Sequence, residues 1–400
     1  MTSSGVRVTA IGAGLNALGA ILPQLVALVL LTSSEYGMYS MVYLVYAAGL
    51  SSVYSVICDA WSRHGGSVGL RQWESYAGAL TVFSVPFSLL AAIIGAVLGM
   101  GLVALTGAAA TFSLIFRAGS RYYQTRAEQW GRVIVGDVGQ IFGLVLGLLI
   151  GWCANWAAMS TVMFAWALSS AFTLISTSPF PVTFAAPRRF RKWVRTYRKE
   201  IGPLLADSLL MDAGAIGTPY LLFPSLGLAS FGIYRAVSNV ATPVQLILSP
   251  LRPIVTGSDI RRLISIRLLG AITLLLGLVS LAAYIVIQWL PALPVRLGVL
   301  SDLYVVALPA ALFVVANGLS FYLYLVARGH AARNRIFRAR VIQTVIAIVA
   351  PVLGAWAGGL LGATWGFTGS ALLFVPLWLW VARRSAESTS LPSTDSQQPF

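Results

Sequence analysis

Apolar runs long enough to cross a membrane recur along almost the whole chain, separated by short polar stretches. A transmembrane helix needs about 20 mainly apolar residues. Only 10% of the 400 residues are charged, against roughly 25% in a soluble domain, so the chain cannot cover a water-facing surface. The sequence therefore predicts an all-α polytopic membrane protein. Twelve spans are expected, near 8–31, 38–58, 76–97, 99–116, 133–152, 156–178, 201–223, 228–249, 267–289, 302–325, 341–358 and 360–381.

The positive charges alternate with these runs in one consistent way. Of the 27 Lys and Arg residues, all but two fall in segments that twelve spans place on one side of the membrane. The exceptions are Arg296, on the opposite side, and Arg235, inside the eighth span. Because short cytoplasmic loops are enriched in Lys and Arg, we expect both termini in the cytoplasm. The net charge of +15 then reflects topology, and no nucleic-acid partner is expected.

The densest positive charge lies at the middle of the chain, in residues 186–200. Apolar side chains recur there at helical spacing, with cations around the rest of the helix. We expect a basic amphipathic cytoplasmic linker between a six-helix lobe at 1–185 and another at 201–384. Its rings would lie at the acyl boundary and its cations among anionic lipid phosphates. An ordinary charged loop is the alternative. The apolar positions are Phe190, Trp193, Val194, Tyr197 and Ile201, and the cations are Arg191, Lys192, Arg195, Arg198 and Lys199.

Few residues point to catalysis or to a metal. Cys58 and Cys153 fall at opposite membrane faces on this topology and should be free thiols. His64 and His330 lie in predicted cytoplasmic loops and form no cluster with other ligands. No Gly-x-x-x-x-Gly-Lys-Ser/Thr loop occurs, which disfavours an ATP-driven pump. We expect no enzyme activity, no cofactor and no metal. The polar, Pro/Ser-rich tail 385–400 should be disordered and cytoplasmic.

A short internal repeat relates the two halves. Residues 36–45 read YGMYSMVYLV and residues 231–240, at an offset of 195, read FGIYRAVSNV. Each copy opens the second span of its half with the pattern aromatic-Gly-aliphatic-Tyr. Since six spans separate them, the two copies insert in the same orientation, which is the parallel type of repeat found in transporters.

These features resemble the multidrug/oligosaccharidyl-lipid/polysaccharide exporter superfamily, and in particular its polysaccharide-flippase branch. The resemblance rests on two sets of six spans and on the basic central segment. It also rests on Tyr36-Gly37-Met38-Tyr39 after an outer loop beginning at Ser33, and on the counterpart Phe231-Gly232-Ile233-Tyr234 followed by the Pro-containing run 241–253.

The resemblance implies two six-helix lobes around a central cavity. It also implies alternating access that moves a polyprenyl-pyrophosphate-linked saccharide across the bacterial cytoplasmic membrane for surface polysaccharide biosynthesis. Other polysaccharide-assembly proteins are expected partners. Relatives that carry such substrates tend to line the cavity with several cations. In this sequence Arg235 is expected to be the one cation inside a span.

Charged residues inside spans are functional candidates, since each costs roughly 2.5–3.5 kcal/mol on insertion scales. Arg235 is predicted to bind substrate phosphate, and Asp212 or Asp207 in the seventh span to couple transport to a proton or cation. Alternatively, Asp212 and Arg235 only neutralise each other. Asp137, a turn beyond Arg132, is expected at the membrane interface.

Uncharged side chains give weaker signals. Asn16 and Asn239 are predicted to contact substrate, although interhelical hydrogen bonding is the commoner role of such residues. Tyr39 and Tyr43 in the second span are predicted to stack on sugar rings, with packing as the alternative.

Other functional classes fit less well. A small-molecule secondary carrier for a drug or metabolite is the main alternative to a flippase. A membrane enzyme of polysaccharide assembly should need a convergent titratable site, and the predicted outer face offers only Glu35 and Asp302. A structural or partner-binding membrane protein is a further alternative.

Overall fold

In a computed structural model of the protein, residues 3–64, 68–177, 187–240, 258–292 and 294–388 are described, together with 244, 248 and 255. Within them the chain forms helices joined by short turns. The main helices are α1 (Ser3–Leu30), α2 (Ser33–Val53), α3 (Leu70–Val97), α4 (Val103–Arg126), α5 (Trp130–Cys153), α6 (Ala158–Leu174), α7 (Pro187–Asp212), α8 (Thr218–Val240), α9 (Ile266–Trp289), α10 (Ala307–His330) and α11 (Arg333–Ser388).

Shorter elements extend or join these helices. A π-helical turn, Tyr54–Asp59, continues α2 into the short helix Ala60–Arg63, and a second π-helical turn, Ala213–Gly217, joins α7 to α8. A 3-10 segment, Gly298–Val306, leads into α10, and the short helix Ile260–Leu263 precedes α9.

Within the described ranges, nine helices are long and apolar enough to cross a membrane, and the 17-residue α6 is apolar as well. The protein is therefore a multi-pass integral membrane protein built from α-helices, as the sequence predicts. The run 241–253 contributes only Val244 and Leu248 to the described residues.

The start of α2 differs from the sequence-based expectation of an outer loop extending beyond Ser33. The Thr32 side chain accepts a hydrogen bond from the backbone N–H of Glu35, and the Glu35 carboxylate accepts one from the backbone N–H of Thr32. This capping box satisfies two backbone donors at the helix start. The Tyr36–Tyr39 motif consequently lies within the first turns of α2.

Two of the long helices contain residues with non-helical backbone. Gly227 in α8 has φ 71°, and Gly358 and Gly359 in α11 have φ −155° and 57°. The part of α11 counted as a candidate span, Asn334–Glu387, has 54 residues. As one straight helix it would be about 80 Å long, far beyond the roughly 30 Å of a bilayer core. Both breaks fall where the sequence predicts a turn between two spans.

The chain reverses direction at the break in α11. A Cβ atom on Gly354 would overlap the carbonyl oxygen of Gly362, and one on Gly366 would overlap that of Ala350. These pairs lie at matching distances on either side of Gly358. The two parts of α11 are therefore antiparallel and in backbone contact, which only small residues permit.

The described helices divide into two compact units. The first covers residues 1–212 with 297–299, and the second covers 213–296 with 300–400. In the first unit α2 packs on α3 and α4, α5 packs on α6 and α1, and α4 packs on α6. In the second unit α10 packs on α9 and α11, and α11 packs on α8. The last helix extends to Ser388, into the segment predicted to be disordered, and residues 389–400 lie outside the described part.

The predicted basic linker is helical from Pro187 and continues without a break to Asp212 as α7. Its aromatic face contacts other helices of the first unit. Trp193 and Tyr197 are 4% and 7% exposed, and the Trp193 indole donates a hydrogen bond to the Val56 carbonyl at 3.3 Å. The expectation that these two rings lie at the acyl boundary is therefore wrong, because protein side chains surround them.

Candidate functional site

Arg235 lies on α8 in the second unit, two turns beyond the break at Gly227, and only 7% of its surface is exposed. Its Nε has no hydrogen-bond partner among the described residues. Tyr220 and Tyr234 lie close enough to interact electrostatically with the Arg235 guanidinium. A buried guanidinium with unused donor capacity is costly unless it meets an anion. Arg235 is therefore a suitable anion-binding group.

Asp212 ends α7 in the first unit and is half-buried, with no described partner for its Oδ2 atom. Its carboxylate interacts with the Ser51 hydroxyl, which lies 2.6 Å from the Ser208 hydroxyl. Asp207, one helical turn and a half earlier, is exposed on its unit. The oxygen-rich group Ser51, Ser208 and Asp212 has donors and acceptors suited to a proton or a hard cation.

The predicted pairing of Asp212 with Arg235 stays a prediction, because the two residues belong to different units. The predicted coupling role of Asp207 and Asp212 also stays a prediction. Among the described residues, no group of three or more His, Cys, Asp and Glu side chains forms a metal site.

The tyrosines of α2 form an aromatic cluster with Trp166 of α6. Tyr39 is 1% exposed, and its ring lies 5.6 Å from that of Trp166. Tyr43 is half-buried, and its hydroxyl accepts a hydrogen bond of 2.5 Å from the Gln24 amide. Of the two predicted sugar-stacking residues, Tyr43 is the more accessible within its unit.

The two predicted amide contacts are both accessible to some degree. Asn16 on α1 is exposed on the first unit, and Asn239 on α8 is half-buried in the second. Their roles in substrate contact remain predictions.

A buried ionic network on α4 and α5 was not expected from the sequence. Arg117 and Asp137 are 4% and 1% exposed, and Arg117 Nη2 lies 3.1 Å from Asp137 Oδ1. Arg121 Nε contacts both oxygens of Asp137 at 3.2 Å, and its Nη2 donates to the Gly12 carbonyl at 3.0 Å. Arg117 also donates to Gln124 Oε1 at 2.8 Å.

This network corrects one expectation. Arg117 and Arg121 lie on the helix α4 and not in a loop between two spans. The expected positions of Asp137 at the membrane interface and of Arg235 as the one cation inside a span stay predictions. The overlooked signal is the spacing of Arg117, Arg121 and Gln124, which puts three polar side chains on one helix face.

Comparison with known proteins addresses the fold. No family model matches the sequence, and no curated protein matches it significantly. A multidrug resistance MATE family transporter of the MOP superfamily, in an inward-facing conformation, is similar over 94% of this chain and 96% of its own, with 14% identity and a TM-score of 0.59. The lipid II flippase MurJ, in an inward closed conformation, is similar over 99% of this chain and 94% of its own, with 10% identity and a TM-score of 0.59. The Vibrio cholerae MATE transporter VcmN in the bent form is similar over 96% of this chain and 94% of its own, with 14% identity and a TM-score of 0.51.

The chain shares the fold of these solved structures. The match extends over nearly the full length of each chain, so it covers both units. The sequence-based resemblance is therefore confirmed at the level of the fold. Membership of the polysaccharide-flippase branch remains a prediction. The three similar structures are described as transporters or a flippase, and none as an enzyme.

Proposed function

We propose that the protein is a secondary transporter that flips a polyprenyl-pyrophosphate-linked saccharide across the bacterial cytoplasmic membrane by alternating access, for cell-surface polysaccharide biosynthesis. In this proposal twelve spans form two six-helix lobes around a central cavity. Both termini are cytoplasmic, the cations of the 186–200 segment contact anionic lipids, and other proteins of polysaccharide assembly are partners.

The breaks in the long helices support the proposed span count. The reversal at Gly358 and Gly359 lets α11 cross the membrane twice. Gly227 similarly separates the part of α8 that follows α7 from the part that carries Arg235. With α6 counted as a short span, described helices cover the main part of eleven of the twelve predicted spans, and the eighth, near 228–249, is helical as far as Val240.

The observation that carries the choice of substrate is the buried guanidinium of Arg235. A cation inside a span attracts a negatively charged substrate and repels a positively charged one. A pyrophosphate offers several acceptor oxygens to one guanidinium, which can bind two of them at once. The similar fold of a flippase for lipid II is consistent with a lipid-linked substrate of this charge.

Coupling is assigned to the first unit. Asp212 supplies a carboxylate oxygen without a described partner, and the hydroxyls of Ser51 and Ser208 lie beside it. Proton or cation binding at this carboxylate would change the local charge during the transport cycle. Asp207 is a second coupling candidate, and Asn16, Asn239, Tyr39 and Tyr43 are candidates for saccharide contact.

Replacing Arg235 tests the substrate assignment. Arg235→Ala should abolish or strongly reduce surface polysaccharide at equal protein level, and Arg235→Lys should restore part of it by restoring the charge. Arg296→Ala removes an exposed cation and is the matched control. Normal surface polysaccharide in Arg235→Ala would contradict phosphate binding by this side chain.

A small-molecule carrier is the second candidate. It is favoured by the similarity to a multidrug resistance MATE family transporter and by the half-buried carboxylate of Asp212, which suits a cationic substrate. Under this alternative, cells lacking the protein become sensitive to cationic compounds while their surface polysaccharide stays normal.

A further inference from the structure

An open pocket of about 330 Å³ lies in the first unit, where the last two turns of α4 meet the π-helical turn after α2. It is lined by Tyr54, Ala118, Arg121, Tyr122, Thr125 and Arg126. None of these residues is among the predicted substrate or coupling residues. The volume suits a small headgroup.

Two arginines line the pocket, and they differ in how strongly neighbouring residues hold their side chains in place. Arg121 is 22% exposed, and its contacts to Asp137 and the Gly12 carbonyl use Nε and Nη2. Its Nη1 atom has no hydrogen bond to a residue that the structure describes. Because Arg121 is already held by these bonds, a ligand would immobilise little additional side-chain freedom.

Arg126 is exposed at the end of α4. Its Nη1 donates to the Ser62 hydroxyl at 2.8 Å, and its guanidinium carbon lies 5.7 Å from the centre of the Trp61 ring. These two contacts restrict an otherwise flexible side chain at the pocket.

The nearby acids do not cancel this positive charge. Both oxygens of Asp137 accept hydrogen bonds from arginines. Asp59 accepts a hydrogen bond from the Tyr122 hydroxyl at 3.2 Å. The arginines that line the pocket, together with Arg117, carry three positive charges, and Asp59 and Asp137 carry two negative charges. This group of five side chains therefore has a net charge of +1.

The depth of the pocket indicates a ligand that belongs to a lipid. The rise from Ala118 to the helix end at Arg126 is about 12 Å. Because the fourth span is predicted to end near residue 116, a ligand in this pocket would lie in the headgroup region beside the hydrocarbon core. Tyr54, which is 39% exposed, and Tyr122 are amphipathic side chains of the type enriched at that depth. Two guanidiniums that line the same pocket offer several donors to the tetrahedral oxygens of phosphate.

We infer that this pocket binds the phosphate group of an anionic lipid through Arg121 and Arg126. The charge pattern assigns this end of α4 to the cytoplasmic leaflet. Two sources have the required chemistry: an inner-leaflet phospholipid and a prenyl-pyrophosphate-linked substrate. The second source rests on the proposed function, and the pocket itself does not.

The test uses the full-length protein in phosphatidylcholine nanodiscs. Farnesyl pyrophosphate and a short-chain phosphatidylglycerol are titrated separately, and the dissociation constant is measured by calorimetry. Arg126→Gln removes an exposed guanidinium and leaves the Asp137 network intact. Arg132→Gln removes another exposed arginine nearby that does not line the pocket, and is the matched control.

At least one probe should bind, and Arg126→Gln should weaken its binding about tenfold or more while Arg132→Gln leaves it unchanged. Selective binding of farnesyl pyrophosphate would support a substrate phosphate site. Selective binding of phosphatidylglycerol would support a phospholipid site and leave the proposed function to its own test. If neither probe binds, or if both variants weaken binding equally, the inference is overturned.

Discussion

Arg117 and Asp137 form an ion pair of 3.1 Å in which both side chains are almost completely excluded from solvent. Arg121 contacts the same carboxylate, so one acid is shared by two guanidiniums. Removing one partner of such a group leaves charge buried without compensation. The network fixes α4 against α5, and through the Gly12 carbonyl it also fixes α1.

Asp137→Asn should destabilise the first unit strongly, by about 3 kcal/mol, because the buried Arg117 and the partly buried Arg121 lose their shared charge partner. Chemical unfolding of the purified protein measures the effect. Glu74→Gln makes the same chemical change at an exposed position and should have almost no effect. Equal stability of the two variants would contradict the structural role of Asp137.

The contact between the two parts of α11 predicts effects of opposite sign for two glycines. Gly354→Ala should destabilise the protein by about 1–3 kcal/mol, because the added Cβ meets the backbone of Gly362. Gly369→Ala should be neutral or stabilising by up to about 1 kcal/mol, since its Cβ meets no other atom nearby. Thermal unfolding in detergent distinguishes the two. A stabilising Gly354→Ala would contradict the hairpin.

The contact between α7 and the other helices of the first unit predicts that the protein loses stability when the Trp193 ring is removed. Trp193→Ala should destabilise the protein by about 3 kcal/mol, because the ring packs on Tyr76 and Tyr197. Trp193→Phe keeps a ring but loses the hydrogen bond to Val56, so about 1 kcal/mol is expected. Thr196→Ala, at an exposed position of the same helix, is the control for unfolding measurements. Unchanged stability of Trp193→Ala together with weaker binding to anionic vesicles would place the ring in lipid instead.

The environment of Asp212 predicts a coupling defect. Asp212→Asn should remove transport driven by a proton or sodium gradient in proteoliposomes while leaving protein yield and unfolding temperature nearly unchanged. Asp207→Asn, an exposed carboxylate on the same helix, provides the comparison between the two coupling candidates. Gradient-driven transport that is normal in Asp212→Asn would exclude it as the coupling residue.

The membrane fold was predictable from the sequence because both determining signals are local. Span length and the alternation of arginines follow directly from the cost of charge in hydrocarbon. The start of α2 was misplaced because the capping box at Thr32 and Glu35 is a hydrogen-bond pattern and not a hydropathy pattern.

The arginine network was misassigned because hydropathy cannot distinguish a loop arginine from one paired inside a helix. Recognising the pair requires knowing that α4 and α5 are adjacent at Arg117 and Asp137, which is tertiary information. The prediction that the aromatic face of α7 lies at the acyl boundary was wrong for a similar reason. A protein surface and an acyl boundary favour the same amphipathic pattern. Arg235 was singled out from the sequence because it interrupts a largely apolar stretch, and it is buried within its unit.

The proposed function is tested most directly by the pool of lipid-linked saccharide in cells that lack the protein. The proposal predicts that complete saccharide units accumulate on the lipid and are shielded from a degrading enzyme added at the outer face. Restoring the native protein should make them accessible again. Truncated units, which would indicate a transferase, or an unchanged pool, which would indicate a small-molecule carrier, would contradict it.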